Sequence, residues 1–460
     1  MEEKRPGNAI TEGVIWKQLL RFFFPILLGS FFQQMYNTVD TIIVGRFVGT
    51  EALAAVGASA PIVSLINGFF IGISTGATVI LSQAYGARDK DGIFHAIHTS
   101  TALALVLGVI VTVIGMGTSG WMLRLIGTPE GCLKEAILYS VIYFSGSMAT
   151  MIYNMGAGLL RAMGDSRRPT IYLIWACLTN IVLDILFVVY LKMGVAGVGI
   201  ATVASQVVPA VMVLVAMQRM PEEERLCWSK VRMKMSLLRS ILMVGIPSGL
   251  QAVLYAVSNM IIQSGVNSFG DVVVAAWTAY SKTDAICWMV VSAYGVAITT
   301  FVGQNFGAGK YKRVKRGVWV CMAMAVGTMA VLGSVLTYFR YPITAIYTTD
   351  REVIHYGALF FIFITLCCPL YAPIEVFAGA MRGTGYSVVP TVITGVCVCV
   401  FRMLWVWFIV AQWHTLQVLT VSYPISWTIA GLCFLVDYHS GKWLYGQIRK
   451  LGLSPEESEQ

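Results

Sequence analysis

Long apolar runs, separated by short polar connections, account for most of this chain. Twelve of the runs approach the roughly 20 residues that a helix needs to cross the hydrocarbon core of a membrane. They lie at approximately 19–46, 53–80, 94–117, 135–160, 171–191, 195–218, 237–266, 272–302, 316–339, 353–381, 390–411 and 415–438. The pattern predicts an all-α polytopic membrane protein with twelve transmembrane helices.

The two halves of the chain repeat each other at a shift of about 221 residues. The paired positions include Pro25 and Pro247, Asn37 and Asn259, Gln83 and Gln304, and Pro169 and Pro390. We therefore predict two pseudo-symmetric six-helix bundles, at 1–236 and 237–460, around a central cleft. The polar connection at 219–234 would be the linker, and repeats of like orientation place a substrate in the cleft between them.

Composition supports a membrane protein and excludes an ordinary soluble domain. The 460 residues are 57% hydrophobic and 12% charged, against roughly 25% charged in soluble domains. Although the net charge is +9, the basic residues cluster in alternate connections, where they orient a membrane protein. This distribution predicts cytoplasmic termini and no nucleic-acid partner, and we see no cleavable signal peptide.

The motifs of several other protein classes are missing from the sequence. Most of the ten cysteines lie inside apolar runs without a CxxC or Cys/His pattern, so we expect small buried hydrophobic residues rather than a metal centre. Gly307-Ala-Gly-Lys310 lacks the glycine spacing of a phosphate-binding loop, which argues against ATP. No catalytic constellation is evident, and we predict no enzyme activity and no tightly bound cofactor.

A carboxylate stands inside the first apolar run, in the stretch 33–40. A charged side chain at the centre of a membrane helix costs roughly 2.5–3.5 kcal/mol, and such residues usually face a pathway or a partner. Gln33, Tyr36, Asn37 and Asp40 fall on one side of a helix. We therefore predict that this polar stripe faces inward. The alternative is that Asp40 only ends the helix near the outer water.

A second carboxylate occurs one helical turn after an amide, at Asn180 and Asp184. Counting from the helix ends places Asp40, Asp184 and Thr202 roughly 10 Å below the outer surface. Oxygen ligands suit a hard cation such as Na⁺, and two neighbouring carboxylates can share a proton. The alternatives are a helix-packing network for Asn180 and Asp184, and a bond from Thr202 to its own backbone.

Paired motifs in the two halves resemble the multidrug and toxic compound extrusion (MATE) family, specifically its prokaryotic DNA-damage-inducible (DinF-like) branch, over nearly the whole chain. The motifs are Gln83-Ala-Tyr-Gly-Ala-Arg, Val302-Gly-Gln-Asn-Phe-Gly-Ala-Gly-Lys-Tyr, Gly158-Leu-Leu-Arg-Ala-Met-Gly-Asp, Gly379-Ala-Met-Arg-Gly-Thr-Gly and Ser281-Lys-Thr-Asp. The resemblance implies a cation or proton site at Asp40, Asn180, Asp184 and Thr202, with Gln33, Tyr36 and Asn37 lining the cavity. It also implies that the first helix bends at Pro25.

The second half does not repeat the carboxylate pair, since Ile262 and Trp405 stand at the corresponding positions. Its polar residues are predicted to line a cavity for substrate. They are Gln251, Tyr255, Asn259, Lys282, Asp284 and Glu375. Asp284 could instead pair with Lys282, because a buried charge needs a partner. Glu375 is a secondary coupling candidate by analogy with other branches of the family, and Arg402 could be its partner.

These observations together predict a secondary active antiporter in a prokaryotic cell membrane. It would export organic, cationic and amphiphilic small molecules in exchange for H⁺ or Na⁺ by alternating access. Besides membrane lipid we expect no macromolecular partner, and a monomer. The alternatives are a flippase for a lipid-linked saccharide, which would line its cavity with several basic residues, and, from other classes, a membrane enzyme or a scaffold.

Overall fold

The computed structural model of the protein describes residues 10–450 and folds nearly all of them into helices. The helices are α1 (Ile15–Val48), α2 (Thr50–Gly86), α3 (Lys90–Leu125), α4 (Glu130–Ser145), α5 (Ser147–Ala162), α6 (Arg167–Tyr190), α7 (Gly194–Gln218), α8 (Met235–Asn267), α9 (Asp271–Gly307), α10 (Tyr311–Tyr338), α11 (Arg340–Ala345), α12 (Arg351–Gly383), α13 (Val388–Val410), α14 (Leu416–Ser440) and α15 (Lys442–Lys450).

Within residues 10–450, eleven helices are long and apolar enough to cross a membrane. The short helices α4 and α5 meet at a bend of 48° and together make a twelfth candidate span. They occupy the run predicted at 135–160, where Gly146 separates them. The predicted all-α polytopic class with twelve membrane helices is therefore confirmed.

Several membrane helices change their pitch part-way along. α1 widens into a π-helical turn at Val44–Val48, and α6 does so at Ile185–Tyr190. α12 narrows into a 3₁₀ turn at Thr365–Leu370, which contains Pro369. Such irregular turns redirect side chains and occur frequently at functional sites. The two π-helical turns follow Asp40 on α1 and Asp184 on α6, and the 3₁₀ turn of α12 contains Cys368.

Contacts divide the chain into two compact units. One comprises Phe24–Gly249, and the other combines the described residues before Phe24 with those from Leu250 onward. The unit boundaries fall inside α1 and α8, close to Pro25 and Pro247. The division predicted at residues 236 and 237 stays a prediction.

In the unit Phe24–Gly249, α2 packs directly against the beginning of α8 through glycines. A Cβ atom added to Gly72 would lie 2.2 Å from the backbone nitrogen of Gly249, and one added to Gly76 would lie 2.2 Å from the carbonyl oxygen of Ile241. Gly72 and Gly76 are four residues apart, as are Gly245 and Gly249. This small-xxx-small spacing allows two membrane helices to approach closely.

In the other unit, α9 packs closely against the second part of α12. A Cβ atom added to Gly379 would lie 2.7 Å from the carbonyl oxygen of Gly295, so no side chain fits between the two backbones. The hydroxyl of Thr299 on α9 donates to the carbonyl of Gly379 at 2.9 Å. This contact fixes α9 beside α12 and sets the neighbours of the polar residues on both helices.

Candidate functional site

The carboxylates of α1 and α6 meet in the interior of the unit Phe24–Gly249. Asp40 is 7% exposed, and Asn180 and Asp184 are fully buried. The carboxyl groups of Asp40 and Asp184 lie within hydrogen-bonding reach of each other. Because a carboxylate only accepts hydrogen bonds, the two groups can hydrogen-bond to each other only when one of them carries a proton.

Buried polar atoms at this site lack protein partners. Among the described residues, nothing donates to Asp40 Oδ1 or to either carboxylate oxygen of Asp184, and the amide of Asn180 has no partner on its nitrogen or oxygen. Buried polar groups nearly always have hydrogen-bond partners, so these unpartnered atoms are unusual and leave their lone pairs available. The oxygens fit a proton or a hard cation such as Na⁺.

Thr202 on α7 is also buried, with 2% of its surface exposed. Its hydroxyl donates to the carbonyl of Val198 at 3.0 Å, the backbone bond that was the alternative for this residue. Such a bond uses the hydroxyl hydrogen and leaves lone pairs on the oxygen. The bond is therefore compatible with Thr202 acting as an oxygen ligand.

Sequence reasoning missed two tyrosines of α4, the first of which lies beside the carboxylates. Tyr139 is 7% exposed and lies within electrostatic range of both Asp40 and Asp184. Tyr143, one turn later, accepts a hydrogen bond from the Asn67 amide of α2 at 2.8 Å. Their four-residue spacing was a signal in the sequence, although nothing there showed which way α4 faces.

The polar stripe of α1 is split between two environments. Tyr36 is half-buried and hydrogen-bonds with Gln206 of α7, a residue that the sequence analysis also missed. Gln33 and Asn37 are exposed. The structure thus brings Tyr36 and Asp40 to the carboxylate cluster, whereas the cavity-lining role of Gln33 and Asn37 stays a prediction.

Pro25 lies inside α1, which continues through it as a helix. The hydroxyl of Thr170 on α6 donates to the carbonyl of Pro25 at 2.6 Å. Because proline has no N–H, it removes one hydrogen bond from the helix at this turn. The structure therefore places a hydrogen bond from α6 at the turn of α1 that lacks one backbone hydrogen bond. The bend of α1 at Pro25 stays a prediction.

The second half presents no carboxylate at the two corresponding positions. Ile262 is buried, and the indole of Trp405 donates to the carbonyl of Val418 at 2.8 Å. On the predicted stripe of α8, Tyr255 hydrogen-bonds with Tyr371 at 3.1 Å, whereas Asn259 is exposed.

Glu375 forms an ion pair with Arg382 on the same helix, with 2.8 Å between Oε1 and Nη2. Arg382 also donates to Gln251 on α8 at 3.2 Å, and Gln251 donates to Thr394. The suggested pairing of Glu375 with Arg402 is therefore wrong. Arg382 lies two turns away on α12, which keeps the two charges adjacent.

The suggested pairing of Asp284 with Lys282 is also wrong. Asp284 accepts hydrogen bonds from Tyr280 at 3.0 Å and from the indole of Trp288 at 2.8 Å. Both donors are four residues away on α9, and so lie on the same face. Residues two apart point to different sides of a helix, and Lys282 is exposed.

Comparison with protein families finds two matches to the MatE family model, at residues 25–186 and 247–408. Together they cover more than half of the chain. Both ends of the second match lie 222 residues beyond those of the first, close to the register that the sequence indicated. The paired matches agree with an internal duplication.

Several relatives of the chain are named as probable multidrug resistance proteins. Probable multidrug resistance protein YoeA of Bacillus subtilis is 26% identical over 450 residues, which cover 95% of this chain and 96% of that protein. Probable multidrug resistance protein NorM of Thermotoga maritima is 28% identical, with 95% of each chain covered.

A solved structure described as MATE in the bent conformation superimposes with a TM-score of 0.89 at 22% identity. The match covers 98% of this chain and 100% of the other. At this identity the likeness establishes the fold alone, and it agrees with the twelve-helix architecture.

Proposed function

Because the chain belongs to the MatE family and is a compound efflux transporter rather than an enzyme, we propose that an inward flow of H⁺ or Na⁺ drives its export activity. The transported compounds would be organic, amphiphilic cations, exchanged for the coupling ion by alternating access. We further propose a monomer in a prokaryotic cell membrane with both termini in the cytoplasm, an orientation that the basic connections favour.

The observation that carries this proposal is the buried pair Asp40 and Asp184 together with Asn180. Three carboxylate oxygens and one amide oxygen there have no donor among residues 10–450. Two ionised carboxylates in contact repel each other, and a proton or Na⁺ between them removes the repulsion. Thr202 would add a further oxygen to a sodium ion.

Binding an ion at this site does not by itself drive export. The ion and the exported compound must prefer different conformations of the carrier. A ligand with equal affinity for both conformations does not shift the equilibrium between them. We propose that Pro25 supplies part of this difference. Loading the carboxylates would change the bend of α1 at the point where Thr170 contacts Pro25.

The test is efflux of a fluorescent organic cation from liposomes that contain the purified protein, under an imposed Na⁺ or H⁺ gradient. We expect gradient-driven efflux with the wild type and none with Asp40→Asn. Asp271→Asn is the matched control, because Asp271 is an exposed acid in the first turn of α9. Equal efflux by Asp40→Asn would remove Asp40 from the mechanism, and efflux that ignores both gradients would exclude the antiporter.

A further inference from the structure

Three side chains of types that bind metals meet in the unit that contains α9 and α12, whereas Asp40 and Asp184 belong to the other unit. Asp284 and Cys287 are one turn apart on α9, and Cys368 lies in the 3₁₀ turn of α12. A carboxylate oxygen and the two sulfur atoms all lie within 4.8 Å of one another. Cys287 is 2% exposed, and Cys368 is 5% exposed.

We propose that Asp284, Cys287 and Cys368 bind a thiophilic divalent metal ion of the Zn²⁺ and Cd²⁺ class. The sequence analysis predicted no metal centre at the cysteines, because Cys287 and Cys368 lie far apart along the chain and neither belongs to a metal-binding motif. The close packing of α9 against α12 brings them together.

The spacing of the ligand atoms suits such an ion. With Zn–S bonds of about 2.3 Å, two sulfur ligands lie about 3.8 Å apart in tetrahedral geometry and about 4.6 Å apart on opposite sides of the ion. The upper bound of 4.8 Å among the three ligand atoms allows this arrangement after small side-chain movements. Thiolate sulfur favours zinc and similar ions over Na⁺ and Mg²⁺.

Asp284 is held in place by other side chains, as metal-binding carboxylates usually are. Tyr280 donates to one of its oxygens and the indole of Trp288 to the other. Each carboxylate oxygen has two lone pairs, so both retain one for a metal ion. Tyr280 is itself buried and is bonded to Thr365, at the start of the 3₁₀ turn that carries Cys368.

The charges around the cluster favour a divalent ion. Two thiolates and the Asp284 carboxylate carry three negative charges, so the cluster with a bound divalent ion has a net charge of −1. The guanidinium of Arg402 lies within electrostatic range of Asp284 and would offset that charge. Arg402 is 1% exposed, stacks over Tyr423 and makes no ion pair with an acid among residues 10–450.

The surrounding cavity has room for an ion but not for an organic substrate. It is lined by Asp284, Cys287, Trp288, Val291, Met329, Cys368, Tyr371 and Trp427 and has space for about one water molecule. Met329 is 1% exposed and places a soft thioether in the same cavity. Trp288 and Asp284 form its less buried side, through which an ion could enter.

Metal binding would replace the two thiol protons, which pass to solvent, and would join α9 to the 3₁₀ turn of α12. The test uses Cd²⁺ and the full-length protein after reduction and removal of the reductant. Cys397 and Cys433 have their sulfur atoms 3.9 Å apart and could bind Cd²⁺ on their own. The measurements are therefore made in a Cys397→Ser/Cys433→Ser background.

In this background we expect one Cd²⁺ per chain by equilibrium dialysis, with a thiolate-to-cadmium charge-transfer band in the ultraviolet. Adding Cys287→Ser and Cys368→Ser should abolish both signals, and Asp284→Asn should weaken binding by about tenfold or more. Cys321→Ser removes another fully buried thiol of the same unit and should leave binding unchanged.

Protection from alkylation tests the proposal without substitutions in the cluster. In the same Cys397→Ser/Cys433→Ser background, Cd²⁺ should slow maleimide labelling of Cys287 and Cys368, read by mass spectrometry, and leave Cys321 unaffected. The proposal is overturned if Cd²⁺ does not bind, if the Cys287/Cys368 variant binds it equally, or if the two thiols only form a disulfide on oxidation. Efflux is not a readout here, so the result does not depend on the transport proposal.

Discussion

Asp40 and Asp184 lie within hydrogen-bonding reach of each other, each close to the place where its helix widens into a π-helical turn. Asp184 is the last residue of the regular part of α6, and Asp40 precedes the end of the regular part of α1 by one turn. Both sites therefore combine a buried charge with an irregular backbone. We propose that this pair binds a single small cation.

We expect Asp40→Asn and Asp184→Asn to lose gradient-driven efflux while remaining folded. An asparagine amide donates a hydrogen bond to the remaining carboxylate, so neither variant leaves repelling charges in the pair. The thermal unfolding midpoint in detergent should stay equal to that of the wild type or rise. Because the two residues act as one unit, the double variant should be no worse in efflux than either single variant.

Residual efflux in both single variants that falls further in the double variant would show that the two carboxylates act separately. A large fall in the unfolding midpoint of either single variant would indicate that the pair serves stability, the helix-packing alternative.

Thr202→Val should separate sodium coupling from proton coupling. Valine keeps the shape of threonine but removes the oxygen that could ligate Na⁺, whereas a proton needs only a carboxylate. We therefore expect Thr202→Val to reduce efflux driven by a Na⁺ gradient and to leave efflux driven by an H⁺ gradient unchanged. Thr202→Ser keeps the hydroxyl and is the control, and a loss with Ser equal to that with Val would exclude the ligand role.

The membrane helices could be predicted from sequence because length and hydropathy are local properties. Each of the twelve predicted runs matches an observed helix or the α4 and α5 pair. Four of them, 171–191, 316–339, 390–411 and 415–438, extend one residue beyond the helix at one end. The carboxylates of α1 and α6 were also found from sequence, since a charge in an apolar run stands out and its depth follows from the helical rise.

What could not be predicted depends on how the helices turn toward one another. Two donors four residues away on α9, and not Lys282, satisfy Asp284. Arg382 and not Arg402 pairs with Glu375. Tyr139 carries no charge, so its place beside the carboxylates left no mark in the hydropathy pattern.

Arg382→Met should destabilise the fold by about 3 kcal/mol, because it leaves Glu375 unpaired. The side chains are 12% and 17% exposed, so water can compensate only partly for the lost charge. Thermal unfolding in detergent measures the effect, and Arg382→Met/Glu375→Met should recover part of it. A double variant as unstable as the single one would show that the cost comes from lost packing or from Gln251, and not from the unpaired charge.

The exposed pair of Lys90 and Glu223 is the matched comparison for this ion pair. Lys90 has 67% of its side chain exposed, and exposed pairs contribute about 0–1 kcal/mol. We expect Lys90→Met to change the unfolding midpoint much less than Arg382→Met does.

The glycines of α2 provide a test of the close packing between α2 and α8. Gly76→Ala would place a methyl group 2.2 Å from the carbonyl oxygen of Ile241, a backbone atom that cannot move aside without shifting α8. Overpacking of this kind costs about 1–3 kcal/mol, and we expect a lower unfolding midpoint.

Gly57 lies on the same helix with nothing within 4 Å of an added Cβ, so Gly57→Ala should leave stability unchanged or raise it by up to about 1 kcal/mol. Because the two substitutions have the same effect on helix propensity, the difference between their midpoints measures the contact itself. Equal midpoints would mean that α2 and α8 do not depend on this close approach.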